Sequence, residues 1–155
     1  MNVDSIVTRK VFTVNMDDSV GTVRQLLEAV AFHHLLVMNR DKLVGILSDR
    51  DVLRAVSPFS GTEIAQFRDD ALLNKRVHQI MTRNPVTVTL ETPVVVATQV
   101  MLGEGFSCLP VVNGNGALEG LITFRDLLRH FVADELAAEA TTEAAPRPKG
   151  DPIPA

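Results

Sequence analysis

A hydroxyl, an arginine and an aspartate recur in fixed order in this chain, as Ser48-x-Arg50-Asp51 and Thr123-x-Arg125-Asp126. Each set lies in one ten-residue phrase, GILSDRDVLR over 45–54 and GLITFRDLLR over 120–129. An ionised carboxylate in such a phrase can accept hydrogen bonds from both hydroxyls of a ribose. A helix N-terminus beside it offers N–H groups and a positive dipole end to phosphate. The same atoms also fit a capping box, in which an N-cap hydroxyl and an acid three residues on satisfy free backbone donors. Capping accounts for the hydroxyl and the acid, but it does not require Gly45 and Gly120, or the arginines, to recur with them. A glycine at that point of a strand lets a ligand or another backbone come close.

Other reactive types are less productive. His33 and His34 are adjacent on an apolar run, so on a strand they point to opposite faces and cannot readily chelate one ion; no metal site is expected. One of the two is expected to face a cleft. Cys108 lies in an apolar strand with no evident base partner, which reads as a buried hydrophobe rather than a nucleophile. Arg50, Arg54, Arg125 and Arg129 fit solvated helix faces, with Arg50 and Arg125 better placed to reach a phosphate. Met81 and Met101 occupy apolar positions and read as core. No convergent set of nucleophile, base and orienting group is present, so no catalytic residue is assigned.

The phrase belongs to a longer repeat. Val3, Ile6, Thr8 and Arg9 match Val77, Ile80, Thr82 and Arg83 at an offset of 74, and one inserted residue in NGNG shifts the offset to 75 for the phrase. Between Val3 and Arg54, 18 positions are identical. The chain is therefore two copies of one unit of about 50 residues. In each copy VFTV or PVTV reads as a first strand, HLLVM or CLPVV as a second, and KLVGIL or ALEGLI as a third. Asp18 and Thr92 stand at expected N-caps of a helix after the first strand, with apolar residues at helical spacing beyond. NRD and NGNG supply the turn between the second and third strands. Ser48 and Thr123 cap a closing helix. The expected architecture is α/β (α+β), two β-α-β-β-α repeats packed sheet to sheet about a pseudo-twofold axis. The expected boundaries are repeat 1 over 1–56, a partly helical connector over 57–76, repeat 2 over 77–133, and an acidic Ala/Pro-rich tail over 134–155, read as disordered.

Bulk composition narrows the function classes. With 46% apolar and 22% charged residues in 155, one domain with a real core is expected. No apolar run reaches the ~18–20 residues that span a bilayer, and MNVDSIVTRKVF has no leader-like apolar centre. A lone cysteine cannot form an internal disulfide, which fits the cytoplasm. Net charge is −4, of which the residues from Asp134 onward carry five acids and two bases, or −3. No basic stripe marks a nucleic-acid footprint.

The duplicated unit, with GILSDRD and GLITFRD in a G-h-h-[ST]-x-x-D position, IMTRNPVTV before the first strand and CLPVV as the second, resembles a pair of CBS domains over roughly residues 3–131. The resemblance implies a non-catalytic regulatory module for adenosine compounds (AMP, ADP, ATP, sometimes S-adenosylmethionine), with no required cofactor, and a homodimer formed through helices. The apolar helices around Val20–Val30 and Val94–Met101 suit that role. It implies two clefts between the copies. In one, Ser48 and Asp51 would meet Thr82, Arg83, Asn84, Pro85 and Val86; in the other, Thr123 and Asp126 would meet Thr8, Arg9, Lys10 and Val11. The turns His33-His34 and Ser107-Cys108 would line the base and phosphate ends, with Arg50 and Arg125 nearby. The first copy departs from the pattern, with Val11 for proline and His33-His34-Leu35-Leu36 for polar-x-Leu-Pro, so the Ser48–Asp51 cleft is favoured. With no catalytic or transport segment in the chain, the regulated protein would be another molecule. The competing reading is a ligand-silent dimerisation or protein-interaction module in which the capping boxes only cap.

Overall fold

The structure, a computed structural model, describes residues 1–55 and 71–143. After a 3-10 turn at Val3–Ser5, the first copy forms β1 (Thr13–Asn15), α1 (Val20–Ala29), β2 (His34–Asn39), β3 (Lys42–Ser48) and α2 (Asp49–Ala55). The second begins with a 3-10 turn at Val77–Gln79, then β4 (Thr82–Arg83), α3 (Val94–Glu104), β5 (Cys108–Val112), β6 (Leu118–Thr123) and α4 (Phe124–Glu143). The repeated order of elements is the expected one. Its boundaries shift in three places.

The helices start one residue later than the spacing suggests. Ser19 caps α1, its Oγ accepting from Thr22 N, while the Asp18 carboxylate accepts from Asn15 N and closes the preceding turn. Pro93 occupies the N-cap of α3 without a side-chain bond, and Thr92 Oγ1 accepts from Thr89 N. Both expected caps are turn-closing residues, a competing use of short polar side chains. PVTV does not form a full first strand either: only Val88 pairs, with Val111. The third difference lies in the expected tail. Residues 134–143 continue α4 as a helix, because they are rich in Ala, Leu and Glu and meet no helix breaker before Pro146. That stretch stands in solvent to residue 141. Within the expected partly helical connector, residues 71–73 are helical; its residues 57–70, and residues 144–155 of the tail, lie outside the described residues.

Alternation along each strand separates two faces. Leu35, Val37 and Leu47 point to the helices of their own copy and join Val14, Val20, Val23 and Val52 in one core. Leu109, Val111 and Ile122 do the same with Val88, Val94, Ala97, Met101 and Leu127. The opposite faces meet in the middle, where Leu36, Cys108 and Leu121 pack with Val11, Leu43, Ile46 and Leu118. The molecule is thus layered as helices, sheet, sheet, helices. The sheet face that one copy would leave open is covered by the other, a four-stranded sheet against a two-stranded one.

The copies also exchange their lead-in segments. The first sheet has the order β1-β2-β3-β4, with β4 contributed by the second copy and pairing antiparallel to β3 through Gly45↔Arg83 and Ile46↔Thr82. In return Thr8 pairs with Leu121 of β6, by hydrogen bonds of 2.9 and 3.0 Å. Val77 and Met81 are buried in the first copy's core, and Val3 in the second's.

Candidate functional site

The third strands carry the reason for the glycines. A Cβ on Gly45 would lie 2.5 Å from Met81 Sδ and 3.0 Å from Thr82 O, and one on Gly120 would lie 2.5 Å from Val7 Cγ2 and 2.7 Å from Thr8 O. Of the two expected visitors, ligand or backbone, the one that comes close is the other copy's lead-in segment, through the side chains of Met81 and Val7 and the backbone carbonyls of Thr82 and Thr8. That close approach holds the lead-in segment beside the hydroxyl, three residues further along, and the acid, six residues along.

The capping boxes are formed as expected. Asp51 Oδ2 accepts from Ser48 N and Ser48 Oγ, both at 2.8 Å, and Ser48 Oγ accepts from Asp51 N at 3.2 Å. Asp126 Oδ2 accepts from Thr123 N at 2.8 Å and Thr123 Oγ1 at 2.7 Å. In both, one carboxylate oxygen is committed to the cap. The other oxygen accepts no hydrogen bond from the described residues and keeps its acceptor capacity.

The first cleft encloses about 260 Å³. Ser48, Asp51, Thr82, Asn84, Pro85, Val86, Ser107 and Cys108 all line it, as the resemblance implies, and His34 joins them. Sequence reading missed its apolar end, made by Ile46, Phe106, Leu109 and Pro110. Ile46 was signalled by standing two residues before Ser48, on the same strand face. Phe106 was signalled by its identity with Phe32. Asn84 takes a left-handed backbone (φ 48°), which asparagine tolerates, and its N–H donates to Val44 O at 3.2 Å. Beyond Asp51 the cleft opens into a wider groove lined by His33, His34, Asp49, Arg50, Arg54 and Ser107. The cleft is apolar at one end, has a hydroxyl–carboxylate pair in the middle, and carries two arginines on α2 at its mouth.

The second cleft holds only about 120 Å³, between Thr8, Lys10, Val11, Thr123, Asp126 and His34 with Phe12, Phe32, Leu36 and Leu121. Arg83 and Arg125 are not among the residues lining either cleft. The Arg83 guanidinium donates to His78 O at 3.0 Å, and Arg9 is paired with Asp4.

The two histidines diverge, as strand geometry requires. His33 Nδ1–H donates to Asp49 Oδ2 at 2.9 Å, and this bond, more than any other influence, holds the Asp49 carboxyl below its usual value. His34 turns inward to share a hydrogen bond with Ser107 Oγ at 3.0 Å and forms a wall common to both clefts. Burial pushes its pKa below the ordinary imidazole value of about 6.5, only partly opposed by Asp49 and Asp51, while His33 and Arg50 add to the lowering. The unfolded chain therefore binds more protons than the folded one as pH falls through 6.5, and stability falls with it. The melting temperature is expected to drop by on the order of a degree or two from pH 7.5 to 5.5. His34→Gln should flatten that slope. An unchanged slope would assign it elsewhere. Burial also raises the Cys108 thiol to about 12, a neutral wall group with little nucleophilic character.

Comparisons with known proteins agree with this layout. The CBS domain family model matches residues 3–58 and 77–133. A CBS domain-containing protein of Dictyostelium discoideum is 35% identical over 131 residues, which cover 81% of this chain and 88% of that one. CBSX2 of Arabidopsis thaliana, solved in complex with AMP, is 27% identical with a TM-score of 0.72, the match covering 86% of this chain and 98% of CBSX2. The CBS domain pair of protein MJ0100, solved with methylthioadenosine and S-adenosyl-L-methionine, is 26% identical with a TM-score of 0.70, covering 86% and 98% of the two chains.

Proposed function

This chain belongs to the CBS-domain family, and from that premise we propose that it is a non-catalytic regulatory module for adenosine-containing ligands, AMP, ADP or ATP foremost. The observation that carries this is the order of groups along the first cleft. Ile46, Val86, Phe106 and Pro110 offer an apolar slot for a base. The uncommitted Asp51 carboxylate oxygen next in line suits ribose hydroxyls, and Arg50 and Arg54 at the mouth suit phosphate. The complexes of CBSX2 with AMP and of MJ0100 with two adenosyl compounds support that ligand class.

Binding in a cleft between two copies gives a ligand leverage over how the copies sit together, the basis for a change of shape or assembly. In this reading the signal is read by another protein, and the chain works as a homodimer in the cytoplasm. Val95, Val96 and Leu102 on α3 stand exposed and supply apolar surface for pairing. That same surface is what favours the second reading, a ligand-silent interaction module. Among the described residues no helix is long and apolar enough to cross a membrane.

A thermal-shift screen over AMP, ADP, ATP, NAD, cyclic dinucleotides and S-adenosylmethionine, with sedimentation in parallel, separates the two readings. A ligand at a hundredfold excess over its Kd stabilises by ~2.7 kcal/mol, so one adenosine compound should raise the melting temperature by several degrees. No shift with any of them at millimolar concentration, together with a stable dimer, would leave the interaction module standing.

A further inference from the structure

The repeat makes the two clefts equivalent position by position, yet the second holds less than half the volume of the first, about 120 against about 260 Å³. The capping boxes do not cause this, since their hydrogen bonds agree closely. The difference lies at the apolar end. Val86 and Phe106 line it in the first cleft, and their counterparts 74 positions earlier are Phe12 and Phe32. The rings of Phe12 and Phe32 lie 4.4 Å apart between centroids, tilted by 54°. A flat base held between two side chains needs about 3.5 Å on each face, so about 7 Å between them. The two phenylalanines already fill that gap with their own contact, a favourable tilted pairing. Val86 carries no ring, so the first cleft has no such pair.

We infer that Phe12 and Phe32 form an internal plug that closes the second cleft to adenosine, although its hydroxyl and acid are fully assembled. The inference rests on the adenosine reading of the first cleft. Each chain then takes one ligand, in the cleft of Ser48 and Asp51. Phe12 packs against the first copy's core beside Val14 and Val20, whereas Phe32 is 37% exposed.

Calorimetric titration of the full chain with AMP tests the plug. The wild type should bind about one AMP per chain. Phe12→Val, which copies Val86, and Phe32→Ala should each bind about two, and the added site should vanish when either change is combined with Asp126→Asn. Two sites in the wild type would overturn the plug, as would one site in both folded variants. A wild type that binds no AMP, with variants that gain one Asp126-dependent site, would sink the adenosine reading of the first cleft and leave the plug standing. No binding anywhere would sink both. Amide shifts in the AMP-titrated wild type need no variant: they should involve Ser48 and Asn84 and spare Thr8, Lys10 and Thr123. Equal shifts in both groups would also overturn the plug.

Discussion

Asp51→Asn is expected to weaken AMP binding to the folded protein by ~1.5–3 kcal/mol, roughly ten- to a hundredfold in Kd. One oxygen of this carboxylate serves the Ser48 cap and the other is left for the ligand. The asparagine keeps one acceptor, so it can preserve the cap or the ligand contact, but not both, and it lacks the charge that makes either bond strong. Loss of the cap alone should cost at most about 1 kcal/mol of stability. Affinity must therefore be read by calorimetry on variant that has first been shown to be folded. Equal affinity in wild type and Asp51→Asn would remove the ribose role from Asp51 and reduce the phrase to a capping box.

The largest loss of stability should come from Gly120→Ala. Its new methyl would press on the backbone carbonyl of Thr8, which cannot rotate away as a side chain can. The lead-in segment would have to move off β6, straining the two hydrogen bonds between Thr8 and Leu121 and withdrawing Val3 from the second core. Such overpacking with strained bonds costs ~2–4 kcal/mol, on the order of 10 °C in melting temperature. Gly45→Ala should be milder, because its nearest neighbour is the flexible end of Met81. Gly103→Ala, in α3 with nothing within 4 Å, should be neutral or stabilising by ~0.5–1 kcal/mol. Urea unfolding of the three variants gives the order; a Gly120→Ala no worse than Gly103→Ala would show that the lead-in segment is not tightly seated.

Much of the site was legible because it repeats. The hydroxyl, arginine and aspartate stand at one spacing in both copies, and a capping box is a contact over three residues that sequence alone specifies. The lead-in residues Thr82 to Val86 came with the family resemblance, not from periodicity. Arg83 shows where that resemblance runs out: its position borders the cleft, but its guanidinium is drawn to the His78 carbonyl. The N-caps of α1 and α3 fall one position later than expected, at Ser19 and Pro93, since Asp18 and Thr92 close turns as readily as they cap helices.

By itself the sequence determined the duplication, the order of elements in each copy, the apolar faces and the two capping boxes. All of these rest on contacts within a few residues or on strict periodicity, and both are local properties. The tertiary structure decided the rest. It set how Gly45 and Gly120 are used, because the approaching partner is a segment some 40 or 110 positions away. It reduced PVTV to one paired residue. It also made the clefts unequal: position by position Val86 and Phe12 look like interchangeable apolar residues, and only the 4.4 Å approach of Phe12 to Phe32 turns one of two matching clefts into a filled one. Gap width is a property of packed surfaces, and no repeat pattern encodes it.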